Sequence, residues 1–409
     1  MTTVGSSRPA TSRPLVAGVG NSNDQTRRHN LSTILTTLHH GGAQTRADLT
    51  RKLGLNRSTI AALVGELVDL DLAYETARTE HGTVGRPSPY VHPNDRIAAL
   101  AVNPDTDAII IGLVGLGGVV HKRIRYETDG LPSVRETVNI VKAVVDGMRG
   151  ELESTFRIAG IGIAVPGLVR VDTGVVALAP HLDWHDEPLA ELLSEALGYP
   201  AVAANDANVG VIAESIYGAG RGVSDLVYVN GSPSGIGGGV LVGGVPLRGA
   251  SGYGAELGHT LVNPGGLLCH CGRSGCLETE VQLNRILAVI GRDTIDADEL
   301  DQVLTTSTDP ALETEIRRQI DVLCLGLANF ISVFNPERVL LGGFLGSLMA
   351  AHPERIQQGV RDASFGELAA GLTLERAQLR SRLLIVGAAE FAFEELLADP
   401  AGTAPALTA

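Results

Sequence analysis

The chain has 409 residues and carries 46 acidic against 32 basic side chains, a formal net charge of −14. Apolar residues make up 44%, so wholesale disorder is excluded, and the length suits two or three domains. Its 50 Gly follow no Gly-X-Y period and its 4 Cys are too few for a secreted disulfide scaffold of this size, so both of those classes fall away. Neither an apolar leader nor an apolar run of about 18 residues is read in it, so the expectation is a soluble cytoplasmic protein.

Charge is uneven along the chain. Residues 1–95 hold 10 basic and 8 acidic side chains, and the remainder 22 and 38. Within 27–60, Arg27, Arg28, Arg46, Arg51, Lys52 and Arg57 face a single acid, Asp48. A basic island on an acidic chain is the electrostatic footprint of nucleic-acid binding. Residues 1–25 are rich in Ser, Thr, Pro and Gly and read as a disordered arm. From Arg28, Leu31, Ile34, Leu35 and Leu38 recur at helical spacing, and Gly41-Gly42 stops the pattern. Thr45, with Asp48 three residues on, opens a second helix in a weaker form of the capping box. Gly54-Leu-Asn56 is a tight turn. Arg57–Val68 is a third helix with Ile60, Leu63, Val64 and Leu67 on its apolar face. Leu72–Glu75 and Ser88–Val91 read as the strands of a wing around Gly85-Arg86-Pro87. Residues 26–92 therefore form a winged helix-turn-helix. Asn56, Arg57, Ser58 and Thr59, with Arg46 and Arg86, are the candidate DNA contacts, because forked or short polar side chains suit base edges and phosphates. A small protein-interaction domain of the same shape is the competing reading, and the basic island argues against it.

From Ile97 the pattern becomes β-rich α/β. Apolar runs at Ile97–Val102, Ala108–Val114 and Ala159–Val165 alternate with helices at Val134–Met148 and Leu189–Leu197. Further strands fall at 202–208, 226–229, 238–241 and 335–343. Later helices fall at 283–289, 312–333 and 383–397. No repeat of 20–50 residues shows, which points to a two-lobed α/β body and not a solenoid.

The most informative string is Glu256-Leu-Gly-His259, nine residues, then Cys269-His-Cys-Gly-Arg-Ser-Gly-Cys276-Leu-Glu278. Cys269, Cys271, Cys276 and His259 make a Cys₃His zinc set. With all four positions filled by protein, one structural Zn²⁺ per chain is expected and not a water activator. His270 reads as an exposed loop residue and Cys324 as plain core. A ring nitrogen of His259 on the metal fixes the direction of the other, which then meets a ligand hydroxyl. Glu256 and Glu278 flank it, and carboxylates converging on an imidazole suit a polyhydroxylated ligand.

The string resembles the signature of the ROK family (repressors, open reading frames and sugar kinases), E-x-G-H-x(9–11)-C-x-C-G-x-x-G-C-x-E, with every specified position filled. The similarity extends over roughly 97–397 and takes in Val165-Pro-Gly167, Asn205-Asp206-Ala-Asn208, Gly235–Gly239, Leu247–Ala250 and Leu341-Gly-Gly343. The resemblance implies an actin-like, hexokinase-like fold of two α/β lobes, 96–203 with 383–398 and 204–382, the last helix returning to the first lobe. It also implies that Asn205, Asp206, Glu256, His259 and Glu278 hold a sugar, with Asp206 at the position of the kinases' catalytic base.

Kinase members carry D-x-G-x-T after the first strand of this body. Here the segment is Asn103-Pro-Asp-Thr-Asp107. Two carboxylates, Asp105 and Asp107, would face a polyanion, each like-charge contact costing about 4 kcal/mol at ~4 Å and an effective dielectric near 20. Pro104 removes an N–H donor, and Pro233-Ser234-Gly235 stands where kinases have Gly-Thr-Gly. The sugar half is kept and the nucleotide half is not. With the winged helix added, the chain is similar to xylose-repressor-like and N-acetylglucosamine-repressor-like members. The expectation is a non-catalytic, sugar-responsive transcriptional regulator, acting as a homodimer or homotetramer on pseudo-palindromic operator DNA. The alternative is a ROK-type sugar kinase. His181-Leu-Asp-Trp184 departs from the family's Asn-Leu-x-Trp, which makes His181 a candidate for altering ligand choice.

Overall fold

The structure is a computed structural model that describes residues 23–77 and 88–403. Its first helix, Asn23–Gly41, buries Leu31, Ile34, Leu35 and Leu38, the residues of the apolar repeat. It begins at Asn23 and not at Arg28. Asp24, in the first turn, accepts from Arg27 at 2.8 Å and from Arg28 at 3.1 Å, which extends the helix where negative charge suits its dipole. Residues 23–25 thus leave the expected arm, and residues 1–22 lie outside the described residues. Thr45 caps helix Arg46–Leu53 by accepting from the Asp48 amide, and Gly54 ends it at φ 67°. Helix Arg57–Asp69 follows, capped by Asn56. Strands Ala73–Thr76 and Tyr90–Pro93 pair antiparallel as the wing, and Gln44–Thr45 joins as a third strand that two residues could not announce. The expected wing tip, with Arg86, falls in 78–87, outside the described residues.

The body is one topology used twice. In the first lobe Ile97–Pro104 is central. It pairs antiparallel with Ala108–Gly115, which pairs with Val119–Glu127, and parallel with Arg157–Val165, which pairs with Ala201–Asn205. In the second lobe Leu226–Ser232 takes the central place, with Gly235–Val242 and Val245–Pro246 antiparallel on one side and Arg338–Gly342 and Thr373–Arg376 parallel on the other. Both sheets therefore run 3-2-1-4-5 in chain order. Sequence periodicity does not reveal this duplication because the connections differ: long helices at Ala297–Thr306 and Pro310–Phe334 enlarge the second half.

Helix Leu383–Ala398 lies directly on the first sheet. A Cβ at Gly162 would sit 1.8 Å from the Ala388 carbonyl oxygen, so only glycine admits this contact. One apolar cluster runs from Leu31, Leu35 and Leu67 of the N-terminal helices through Ile97, Ala99 and Val114 of the first sheet to Ile385 and Phe393 of that helix. The N-terminal unit is packed onto the body and shares its core. Among the described residues no helix is long and apolar enough to cross a membrane.

Candidate functional site

The Gly-rich segment after Leu257–His259 is wound by its own backbone. Val262 and Asn263 donate to Gly275 O at 3.0 and 3.1 Å, Gly275 to Leu267 O at 2.8 Å, and Cys269 to Arg273 O at 2.7 Å. Gly275 has φ 80°, and a Cβ there would fall 1.5 Å from Asn263 O, so the winding requires glycine. The result is a cluster of side chains from residues up to 17 positions apart. Cys271 Sγ stands 3.6 Å from Cys276 Sγ, and His259 Nδ1 3.5 Å from Cys269 Sγ. The four ligand atoms all lie within 4.8 Å of one another. A tetrahedron with zinc bonds of about 2.0–2.3 Å has edges of about 3.3–3.8 Å, so the Cys271–Cys276 and His259–Cys269 pairs already stand at the spacing a zinc ion needs. Burial pushes the Cys269 thiol well up, and that thiol donates to Glu278 Oε1 at 2.9 Å. An ion would take the place of this proton. Cys324 lies buried within helix Pro310–Phe334, away from the cluster, as core.

His259 presents Nδ1 to the cluster and leaves Nε2 as its second ring nitrogen. Glu278 Oε1 is 3.3 Å from His259 Nδ1 and 3.2 Å from His270 Nδ1. His270 is an exposed loop residue, as expected, and its ring sits 4.9 Å from His259 and 5.4 Å from His181 of the first lobe. His181, Ser234, His270 and Glu278 line one small cavity of about 150 Å³ between the lobes. No residue pattern could have signalled this pairing, since 89 positions separate the two histidines.

Asn205 ends a strand and caps helix Asp206–Tyr217. Its Oδ1 accepts from Ala207 N and Asn208 N at 3.0 and 3.1 Å, and its Nδ2 donates to Gly167 O at 3.0 Å. This cap fixes Asp206 at the first helical position, facing a cavity of about 350 Å³. Burial, with Asp105 and Glu256 nearby, raises the Asp206 carboxyl to about 7. Burial also raises Glu256, and Glu278 adds to it. The candidate sugar residues thus share one acidic region.

Asn103 and Asp105, from the segment compared above with the kinase phosphate loop, also line this cavity. Asn103 is buried, and its amide donates to Ala164 O at 3.0 Å, a tie between neighbouring strands that a carboxylate could not make. Asp105 lines the cavity with its carboxyl raised by burial. Asp107 is held by Arg125 at 2.6 Å. Arg123, Arg376 and Arg380 also line it; they come from distant strands and loops and were not singled out in the sequence. Arg376 and Arg380 are already paired with Asp301, at 2.8 and 3.1 Å.

In the N-terminal unit the expected DNA contacts divide by what else they do. Arg46 forks onto Glu75 with two bonds of 2.6 Å. Asn56 Oδ1 accepts from the Thr59 amide at 2.8 Å and from Ser58 Oγ at 2.7 Å. Arg57 is exposed at the start of its helix and has no ion pair among the described residues. Asn56→Ala should therefore act through the cap. We expect a loss of about 1 kcal/mol of stability in thermal unfolding and weaker DNA binding in proportion to fraying of the helix start.

Residues 101–395 match the ROK family throughout. The chain belongs to the ROK family. The xylose repressor of Caldicellulosiruptor bescii is 26% identical over 396 residues, covering 90% of this chain and 96% of the repressor. A solved ROK-family transcriptional regulator, a homologue of the Escherichia coli Mlc protein, superposes with TM-score 0.74 at 25% identity, over 91% of this chain and 97% of that one. A ROK glucokinase from Streptomyces griseus, solved with glucose and AMPPNP, gives TM-score 0.61 at 27% identity. It covers 72% of this chain and 98% of its own. The regulators are thus matched along the N-terminal unit and body together, while the whole kinase fits within about three quarters of the chain.

Proposed function

We propose that this ROK protein is a sugar-responsive, DNA-binding transcriptional repressor of carbohydrate-metabolism genes. The observation that carries the reading is the joint match of helix-turn-helix and body to regulators along nine tenths of the chain. Asn205, Asp206, Glu256, His259 and Glu278 hold the sugar, and His259, Cys269, Cys271 and Cys276 hold one structural zinc. Zinc, when bound, supplies a fixed anchor for the loop and for the His259 ring. The chain itself does not transfer phosphate, because Asn103, Asp105 and Asp107 replace the groups that would cradle it. A bacterial cytoplasmic dimer or tetramer would place two recognition helices on a pseudo-palindromic operator, and sugar binding would shift the population between DNA-competent and released states.

The reading is tested by selecting genomic fragments with purified protein in the presence of D-xylose, D-glucose or N-acetyl-D-glucosamine, and separately with ATP and Mg²⁺. An enriched palindrome whose occupancy one sugar changes, with ATP inert, supports it. No enriched site, together with sugar-dependent ADP release, overturns it in favour of a kinase. Arg57→Ala is expected to weaken operator binding about 5- to 150-fold, the effect of losing a base-reading fork, while calorimetric sugar affinity stays unchanged.

A further inference from the structure

Helix Asp206–Tyr217 connects the cleft to the N-terminal unit. Its first residue faces the cavity, its last reaches helix Asn23–Gly41, and its 12 residues span about 17 Å. The Tyr217 hydroxyl donates to Glu390 Oε1 at 2.8 Å and lies 3.1 Å from His39 Nε2. His39 is fully buried, and its Nδ1 accepts from the Gly117 amide at 2.8 Å. The ring proton therefore sits on Nε2, which donates to Glu390 Oε1 at 2.8 Å. His40 Nε2 stands 3.2 Å from Glu390 Oε2. His39, His40 and Glu390 are close enough for a metal set. His39, however, would have to lose its remaining proton to ligate through Nε2, so the trio is a hydrogen-bonded joint. Four separate segments of the chain meet on it: the first helix, the turn at Gly117, helix Leu383–Ala398 and helix Asp206–Tyr217.

The helix is clamped along its length. A Cβ at Gly239 would lie 2.6 Å from Ala207 O, and one at Gly387 2.5 Å from Val209 O, so backbone packs on backbone at both places. Glu214, fully buried, accepts from the Gln378 and Leu379 amides at 2.8 and 2.7 Å. The next two residues, Arg380 and Ser381, line the cleft. A close-packed rod of this kind transmits a displacement of its end without absorbing it.

We propose that helix Asp206–Tyr217 passes the state of the cleft to the DNA-binding unit, with Tyr217, Glu390 and His39 as the joint. The proposal rests on the sugar-responsive reading above. New contacts at Asp206 move the start of the helix, and Tyr217 then exchanges one buried hydrogen-bonded arrangement for another. Such a joint favours discrete positions of helix Asn23–Gly41 over graded ones. Tyr217 and His39 touch neither sugar nor DNA in this scheme; they are positioning residues.

Coupling is reciprocal, so it can be read from both ends. Operator affinity is measured with and without the sugar picked from the D-xylose, D-glucose and N-acetyl-D-glucosamine panel, and sugar affinity with and without operator. Tyr217→Phe keeps the ring and removes the hydroxyl. It is expected to leave each separate affinity within about twofold of the unmodified chain while the coupling factor, typically about 5- to 150-fold, collapses towards one. Full coupling in Tyr217→Phe overturns the proposal and leaves the repressor reading standing. Absence of coupling in the unmodified chain overturns both. Hydrogen exchange of the unmodified protein guards against a variant that does not fold: saturating sugar should change amide protection in 31–41, and unchanged protection there refutes the relay.

Discussion

Asp206→Asn is expected to lose the sugar response and to stabilise the free protein at pH 8. The carboxyl is raised from 3.8 to about 7, first by burial and then by Asp105 and Glu256. Between those two values the folded chain holds a proton that the unfolded chain has released. This group's contribution to stability is therefore complete below about pH 4 and declines as pH rises to about 7. An amide carries no such penalty. The variant should match the parent near pH 4 and exceed it at pH 8 by about 2–4 kcal/mol, the upper figure being the full shift. Sugar affinity should fall in the opposite sense. An ionised carboxylate accepting from a hydroxyl contributes about 1.5–3 kcal/mol, so calorimetry should show roughly 10- to 150-fold weaker binding with operator affinity retained. Equal stability gains at pH 5 and pH 8, or unchanged sugar affinity, would remove Asp206 from the site.

The cost at Asp206 explains a pattern in what the sequence discloses. The candidate binding residues are the ones that break local rules, and they stand out: three cysteines in eight positions, paired carboxylates around Gly-His, and Asp105 and Asp107 where the kinase pattern has Gly and Thr. The cluster of His259, Cys269, Cys271 and Cys276 is legible because its spacing is short and turn glycines surround it. The three N-terminal helices are legible because Leu31, Leu38, Ile60 and Leu67 keep helical spacing. Helix Asp206–Tyr217 is not. Its buried residues, Ala207, Val209, Gly210, Val211, Ala213 and Glu214, fall on several sides of the helix and pack closely on Gly239, Tyr228 and Gly387, so they give no single apolar stripe. The His39–Glu390–Tyr217 joint is equally silent, since its members lie 178 and 351 positions from His39 in the chain. Each alone reads as an ordinary polar residue, His39 and Tyr217 near helix ends and Glu390 in mid-helix. The duplicated sheet order was hidden for a related reason: topology is conserved between the lobes by register, and register leaves no trace in composition.

Cys276→Ser should release the zinc and take the sugar response with it. Cys276 is fully buried, its Sγ lies 3.6 Å from Cys271 Sγ, and it immediately precedes the short helix Leu277–Glu280 that carries Glu278. A serine hydroxyl keeps its proton at neutral pH and cannot replace a thiolate on zinc. Elemental analysis of purified protein should fall from about one zinc per chain to near none. The loop would not unfold outright, because Leu277 N still donates to Thr260 O at 2.9 Å and Gly275 N to Leu267 O at 2.8 Å. We therefore expect a loss well below the ~10 kcal/mol of a zinc finger, on the order of 3 kcal/mol, seen as a fall of several degrees in Tm. Sugar binding should weaken more than stability does. His259 and Glu278 are placed by the same cluster, and a small misplacement of orienting groups is costly even when the fold survives. Cys324→Ser is the control, since that thiol lies buried in helix Pro310–Phe334 and makes its contact to Ile356 O at 3.6 Å. It should lower stability without changing zinc content. Zinc retained at one per chain in Cys276→Ser would remove Cys276 from the ligand set, and no zinc in the parent would mean that the cysteines hold the loop by packing alone, with Glu278, 3.3 Å away, as the anchor for His259.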